Sequence, residues 1–144
     1  ARKDSKSLIH QEWPRLEYAS FFENSDIITL HCPLTDSNKH LINNESLSIM
    51  KKTSYLINTS RGDLVDESAL AIALTEKNIA GAAVDVLSEE PPPSDHCLIN
   101  ESIPNLLVSP HIAWISVESR KRLINGVSSN IKAFLNKSPI NQVN

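Results

Sequence analysis

The sequence lacks the features that mark several classes of protein. Its two cysteines, Cys32 and Cys97, form neither a metal-spaced cluster nor a disulfide framework. The net charge is only -3, which gives no electrostatic footprint for nucleic acid or an anionic membrane surface. The apolar runs are too short to cross a bilayer, and no signal-peptide pattern opens the chain. We therefore expect a cytoplasmic protein without a metal site that binds neither nucleic acid nor membranes.

Glycine is also scarce, with only Gly62, Gly81 and Gly126 in 144 residues. These positions cannot supply the G-x-G-x-x-G loop that holds a dinucleotide pyrophosphate. The hydrophobic content of 40% and charged content of 22% nevertheless suit a globular domain with its own core. The chain opens on Ala1-Arg2-Lys3 without an initiator methionine, and we expect a fragment of a longer protein.

Strand-like and helix-like segments alternate along the chain, which predicts βαβ units and a parallel sheet. The expected fold class is α/β: an incomplete Rossmann-type doubly wound parallel sheet with a long C-terminal helix. The predicted strands are 27–30, 54–58, 79–86 and 106–108. The predicted helices are a short one ending near Asn24, a second capped near Asn44, a third at about 66–77 capped by Asp66, and a last one at roughly 116–136.

The stretch Asn58 to Glu67 lies between a predicted buried strand and a predicted helix. In open α/β sheets that junction, at the carboxyl end of a strand, is where ligands bind. Arg61 is the notable residue because a guanidinium offers a planar fork of donors that matches a carboxylate. The competing interpretation is an ordinary surface arginine in a loop.

Other strand ends would place Asp85, Glu90 and His111 at the same edge of the sheet. A histidine beside a carboxylate is suited to general acid–base work, because the carboxylate orients the ring. Either loop residue could instead simply face water. Asp85, the one charge in an apolar strand, needs a partner if it is buried, through function or a structural hydrogen bond.

Four motifs follow one another along the chain. They are HCPLT (31–35), INTSRGDLVDESAL (57–70), AAVDVLSEEPPPSDH (82–96) and NLLVSPHIAW (105–114). Together they resemble the D-isomer-specific 2-hydroxyacid dehydrogenases, and most closely the glycerate dehydrogenase (hydroxypyruvate reductase) branch. The resemblance extends from about residue 16 to the end.

The resemblance implies an oxidoreductase that interconverts a small 2-keto acid and its D-2-hydroxy acid with NAD or NADP. By matching position, Arg61 would hold the substrate carboxylate and keto oxygen. Glu90, rather than Glu89, would be the catalytic glutamate. His111 would exchange the proton with the keto oxygen while the cofactor exchanges hydride with the carbon. Hydroxypyruvate/glycerate and glyoxylate/glycolate are the favoured pairs.

The resemblance also implies a set of cofactor contacts at the strand ends, several of them made by the backbone. Besides Arg61 and His111, the residues are Cys32 and Pro33 near the adenosine, Thr59 and Ser60 along the nicotinamide side, Asp85 at the carboxamide, and Ala113 and Trp114 by the nicotinamide.

The chain departs from the family pattern because the glycine-rich loop and the substrate domain that precede these motifs are not within it. Residues 1–144 would then form the later part of the nucleotide-binding domain, with 115–144 a helical segment that returns to the substrate domain. Without the phosphate-binding helix N-terminus, we expect this chain alone to be inactive. If Ala1 occupies the position of the ribose-binding acid, Arg2 could hold a 2′-phosphate; if that acid was one residue earlier, NAD is favoured. We expect NAD.

Several alternatives remain open on the sequence. One is a non-catalytic family member that acts as a nucleotide-binding scaffold or corepressor. Another is a truncated product that misfolds or only dimerises. A third is a different substrate, such as phosphoglycerate or a bulkier 2-keto acid, although Trp114 close to His111 suggests a constricted pocket. A homodimer is expected by resemblance to the family.

Overall fold

The structure is a computed structural model that describes residues 16–100 and 103–143. The element order confirms the expected alternation of strands and helices. The four strands are β1 (Ile27–Leu30), β2 (Tyr55–Asn58), β3 (Gly81–Val84) and β4 (Leu106–Val108). The helices are α1 (Tyr18–Asn24), α2 (Asn44–Ile49), α3 (Glu67–Thr75), α4 (Cys97–Asn100) and α5 (Val117–Leu135), and a 3-10 turn spans Gly62–Leu64.

The strands form one parallel sheet in the order β1-β2-β3-β4. Each strand pairs with the next one along the chain, so every connection returns to the same end of the sheet and all carboxyl ends lie at one edge. This arrangement confirms the α/β class with a Rossmann-type sheet. It also brings the polar residues that follow each strand to a common edge, as the ligand rule for such sheets requires.

The core is aliphatic and lies between the sheet and the helices of the first part of the chain. Ile28, Leu56 and Ala82 place buried side chains at neighbouring positions of β1, β2 and β3. Leu70 and Leu74, one turn apart on α3, are almost completely buried in the same cluster. Helix α3 packs on α2 and α4, and its buried residues are Ala69, Leu70, Ala71, Ala73 and Leu74.

Two helices begin at capping residues that satisfy their first backbone amides. Asn43, one residue before the predicted cap Asn44, accepts from the amides of Glu45 and Ser46, and the Ser46 hydroxyl accepts from the Asn43 amide. Asp66 caps α3 as predicted by accepting from the Ala69 amide at 3.0 Å. These contacts serve donors that the helix itself cannot pair.

The predicted element bounds were partly wrong. The helix expected to reach residue 77 ends at Thr75, because Lys77 takes a left-handed φ of 59° that a helix cannot continue through. The strand expected over 79–86 is confined to Gly81–Val84, although Ile79 and Val86 are still buried. Helix α4 and the 3-10 turn were not predicted. Ala1 and Arg2, discussed above for the ribose-binding position, lie outside the described residues.

The chain divides into two compact units, residues up to His111 and residues from Ile112. The second unit contains α5, whose N-cap Ser116 accepts from the Ser119 amide. Its apolar side chains follow helical spacing and are exposed. They include Leu123, Ile124, Val127, Ile131, Phe134 and Leu135. Among the described residues, no helix is long and apolar enough to span a membrane.

Candidate active site

The turn after β2 is organised by Asn58, whose side chain is completely buried. Its Oδ1 accepts from the Ser60 amide at 3.0 Å, and its Nδ2 donates to the Arg61 carbonyl at 2.9 Å. The Asn58 carbonyl also accepts from the Asp85 amide at 2.9 Å, which extends the ladder to β3. The buried side-chain amide of Asn58 therefore fixes the backbone conformation of the turn that carries Arg61. The sequence places Asn58, a polar residue, at the end of a predicted buried strand. That pattern could have indicated its role in the turn, and we did not use it.

Arg61 is exposed at the sheet edge, which agrees equally with a ligand-binding arginine and with an ordinary surface arginine. Its role in binding a substrate stays a prediction. Its Nη1 donates to the Ser60 carbonyl at 2.6 Å, which holds the guanidinium against its own loop. A guanidinium has five N–H donors in a fixed fork. The remaining donors leave it able to bind an anionic group.

Gly62 brings the Arg61 turn into direct contact with the loop that follows β3. A Cβ atom at position 62 would overlap the Leu87 carbonyl carbon and the Ser88 nitrogen. Real side chains do not approach backbone so closely, so only glycine fits here. The Arg61 turn and the Glu90 loop are thus packed backbone against backbone.

Glu90 and His111 form the central pair of the site. Glu90 Oε2 lies 2.7 Å from His111 Nδ1, and Glu90 Oε1 accepts from the Leu87 amide at 3.0 Å. Both side chains are partly exposed, with 37% and 48% of their side-chain surface accessible. Nδ1 of His111 therefore faces the Glu90 carboxylate, and Nε2 is the ring nitrogen on the opposite side of the imidazole.

The pKa of Glu90 is lowered from its ordinary value. The main cause is the hydrogen bond to His111, and the second is the Leu87 amide. Both favour the ionised carboxylate and outweigh the opposing effect of partial burial. Glu90 is therefore a carboxylate at neutral pH, which suits it to orient an imidazole ring.

The backbone of His111 is held in an unusual conformation. Its φ is 55°, a left-handed value that residues other than glycine rarely adopt. Its amide donates to the Asp85 carbonyl at 2.8 Å and to the Ser109 carbonyl at 3.0 Å. Such conformations persist where surrounding contacts over-determine them, and they cluster at functional sites. The end of β3 therefore helps to place the histidine at the end of β4.

Asp85 is buried, with 5% of its surface exposed, and the Ser109 hydroxyl donates to its Oδ1 at 2.5 Å. The expectation that a buried Asp85 needs a partner is confirmed, and Ser109 is a structural one. Its expected contact with a cofactor carboxamide stays a prediction.

The residues expected near the rest of the cofactor line the ends of β1 and β2. The Ser60 hydroxyl donates to the Cys32 carbonyl at 2.6 Å, and Asn38 donates to the Pro33 carbonyl at 2.8 Å. Thr59 is exposed between them. The Ser60–Cys32 contact joins the loop after β2 to the loop after β1, and the Asn38–Pro33 contact lies within the loop after β1. The expected contacts of Cys32, Pro33, Thr59 and Ser60 with a cofactor stay predictions. Ala113 and Trp114 lie in the second unit and are exposed, and their expected nicotinamide contact stays a prediction.

A groove of about 680 Å³ opens beside the Glu90–His111 pair. Its walls are mainly apolar and come from β4, α4 and the proline-rich loop, with Pro91, Leu98, Ile103 and Val108 among the lining residues. This volume is in the range of clefts that bind small molecules and cofactors. A parallel sheet with a groove and a carboxylate–histidine pair beside its strand ends is the arrangement expected of a ligand-binding α/β domain.

Comparison with known proteins identifies the family. Residues 1–113 match the D-isomer specific 2-hydroxyacid dehydrogenase, NAD binding domain. The chain belongs to this family, and its cofactor is of the NAD class. This confirms the resemblance inferred from the four motifs.

Named relatives share much of the chain. A glycerate dehydrogenase of Methylorubrum extorquens is 43% identical over 128 residues, which cover 89% of this chain and 41% of the relative. A glyoxylate reductase of Thermofilum pendens is 46% identical over 125 residues, which cover 85% of this chain and 36% of the relative. The chain thus spans well under half the length of these relatives.

A solved structure shares the fold as well. D-lactate dehydrogenase with NAD+ from Lactobacillus jensenii superposes with a TM-score of 0.81 at 30% identity, covering 90% of this chain and 42% of that chain. This similarity agrees with the parallel sheet and the long C-terminal helix described above.

Proposed function

We propose that the full-length protein carrying this chain interconverts a small 2-keto acid and its D-2-hydroxy acid. Hydroxypyruvate/glycerate and glyoxylate/glycolate are the favoured pairs, with NAD preferred over NADP. The observation that carries the proposal is the 2.7 Å hydrogen bond between Glu90 and His111 at the carboxyl edge of the sheet. The family membership and the names of the two relatives support the substrate class.

When bound, NAD(P)H supplies the hydride that reduces the keto carbon. As the carbonyl π bond breaks, charge develops on the keto oxygen, and His111 Nε2 donates a proton there. Glu90 holds Nδ1 and stabilises the ring while it is protonated. In the reverse direction the same nitrogen removes the hydroxyl proton. Proton transfer by a positioned side chain of this kind contributes roughly 10²- to 10⁴-fold to the rate.

Arg61 would bind the substrate carboxylate through two parallel N–H···O bonds. The Asn58 turn and the Gly62 contact support this role, because they hold the guanidinium-bearing turn against the Glu90 loop. An anionic substrate held there would present its keto group toward the acid–base pair. Positioning of this sort converts binding energy into rate.

In this proposal, the residues at the strand ends would contact one part of the cofactor. The joined β1 and β2 loops, with Cys32, Pro33, Thr59 and Ser60, would line the adenosine and nicotinamide sides, and Asp85 would face the carboxamide. The three glycines of the chain cannot build the phosphate loop. We therefore propose that the 144-residue chain alone is inactive.

The test is turnover of hydroxypyruvate and glyoxylate by the full-length protein, with NADH and NADPH compared side by side. We expect reduction of at least one of them with NADH. Tight cofactor binding without turnover of any small 2-keto acid would instead favour a nucleotide-binding scaffold or corepressor. The isolated chain is assayed in parallel, and ordinary rates from it would refute the proposed inactivity.

A further inference from the structure

Glu67, the first residue of α3, uses both carboxylate oxygens to hold the loop that follows β3. Its Oε1 accepts from the Ser88 amide at 2.8 Å, and its Oε2 accepts from the Ser88 hydroxyl at 2.5 Å. The same Oε2 lies 3.1 Å from His96 Nε2. The side chains of Glu67 and His96 are nearly buried, with 11% and 9% of their surface exposed.

A carboxylate in so enclosed a place is costly unless its oxygens are paired. Glu67 is not needed to cap α3, because the neighbouring Asp66 already accepts from the Ala69 amide. The carboxylate of Glu67 is instead directed to the loop between β3 and α4. It bridges an early residue of that loop, Ser88, and a late one, His96.

His96 is itself oriented for this contact. Its Nδ1 accepts from the Leu98 amide at 3.3 Å, so Nε2 carries the ring proton and donates to Glu67. The start of α4 thereby fixes the ring, and the ring fixes the carboxylate. Both ends of the loop are held by a single side chain on α3.

The loop between these anchors carries Glu90. Ser88 lies two residues before Glu90 and is held by Glu67. Leu87 donates its amide hydrogen to Glu90 Oε1. On the other side, the Leu87–Ser88 peptide packs on Gly62. The Leu87–Glu90 turn is thus tied to the start of α3, and its carboxylate reaches His111.

We propose that Glu67 is a positioning residue that holds the Glu90 loop in place, so that Glu90 stays within hydrogen-bond distance of His111. The catalytic consequence rests on the proposed function, whereas the structural consequence does not. His96 supports Glu67 in this role. Neither residue needs to touch substrate or cofactor.

The first test measures geometry without turnover. The pKa of the Glu90 carboxyl is followed by ¹³C NMR in the full-length protein and in its Glu67→Ala variant. We expect the pKa to rise toward its ordinary value, because the hydrogen bonds that lower it loosen. Removal of a neighbouring negative charge would by itself lower the pKa of Glu90, so a rise reports lost positioning.

Glu89→Ala is the matched control, because it also removes an acidic side chain from this loop but leaves the Glu67 bridge intact. We expect no rise in the pKa of Glu90 there. An unchanged or lowered pKa in a folded Glu67→Ala variant would overturn the proposal, whether or not the protein is active.

The second test uses turnover in the full-length protein. We expect Glu67→Ala to lower kcat by roughly ten- to a hundredfold with KM for the keto acid nearly unchanged, since small misplacements of catalytic groups are costly. Glu67→Ala combined with Glu90→Ala should be no slower than Glu90→Ala alone, because the two act as a unit. Additive losses would show that Glu67 does not act through Glu90.

Ser88→Ala keeps the test decisive if Glu67→Ala does not fold. It removes one donor to Glu67 and leaves the amide contact, so we expect a smaller fall in kcat in the same direction. A wild-type kcat in folded Ser88→Ala would count against the bridge. Inactive wild-type protein would refute the proposed function instead, and the NMR result would still decide the role of Glu67.

Discussion

Glu90 and His111 are separated by twenty-one residues of sequence, yet Oε2 of the one lies 2.7 Å from Nδ1 of the other. The contact exists because β3 and β4 are neighbouring parallel strands whose carboxyl ends meet at one edge of the sheet. The His111 amide is in addition bonded to the Asp85 carbonyl, which fixes the start of the Glu90 loop relative to the histidine.

Substitution of His111 should remove most of the catalytic rate of the full-length protein. We expect His111→Ala to lower kcat by about 10²- to 10⁴-fold, the usual contribution of a positioned acid–base group. His40→Ala is the control, because His40 is another exposed histidine with a left-handed φ, here 52°. Steady-state kinetics on both variants separate loss of the imidazole from backbone strain. Similar losses in both would contradict the role of His111.

Substitution of Arg61 should act mainly on substrate binding. Arg61→Lys keeps the charge but loses the planar fork, so we expect KM for the keto acid to rise by about tenfold. The expected rise for Arg61→Ala is larger, and kcat should change less than KM in both. Arg122→Lys, on the exposed face of α5, is the matched control and should leave KM unchanged. An unaltered KM in Arg61→Lys would exclude two-point binding of the carboxylate.

The stability of the chain should depend on pH through Glu90. Its pKa is lower in the folded protein than in the unfolded chain, so the folded state favours the ionised form. The resulting stability is fully present above the pKa of the unfolded glutamate and is lost as pH falls through the lower folded value. Because the group is exposed, the effect should be below about 1 kcal/mol.

Urea unfolding of the wild type and Glu90→Gln at several pH values measures this contribution. The difference between the two should be constant near neutral pH and shrink at acid pH. If the difference in the free energy of unfolding between the two proteins instead grew as pH fell, the pKa of Glu90 would be raised rather than lowered in the folded protein, which would contradict the prediction.

Two glycine-to-alanine substitutions should have opposite effects on the free energy of unfolding. Gly62→Ala drives a Cβ into the Leu87–Ser88 peptide and should cost about 1–3 kcal/mol or more. Gly126 lies within α5 with nothing near its missing Cβ, so Gly126→Ala should stabilise by about 0.5–1 kcal/mol. Thermal unfolding of each variant measures the contrast. A neutral Gly62→Ala would show that the two loops are not in close contact in solution.

Much of the fold was accessible from the sequence. The β-branched run at Ile27–Leu30 and the short apolar run at Leu106–Val108 predicted strands with the bounds that the structure has. Apolar spacing predicted α5, and a carboxylate ahead of an apolar run predicted Asp66 as the cap of α3. These signals are local: a strand alternates side chains, a helix repeats them, and a cap needs an acceptor.

The four motifs, in their order along the chain, were also enough to identify the family. By matching position they indicated Arg61, Glu90 and His111 as the candidate catalytic residues. The sequence did not reveal that Glu67 contacts Ser88 and His96, because Glu67 lies more than twenty residues from either of them along the chain. Nor did it explain why Gly62 must be a glycine, which depends on a peptide brought against it by the adjacent strand.

The sequence by itself determined which residues are apolar, which can cap a helix, and which carry acid–base or anion-binding chemistry. Only the tertiary structure decided which of these side chains meet, because parallel pairing of β2, β3 and β4 sets the separation of the loops at their carboxyl ends. A hydrogen bond demands placement within a few tenths of an ångström. Spacing along the chain cannot specify such distances, whereas the packing of strands and loops does.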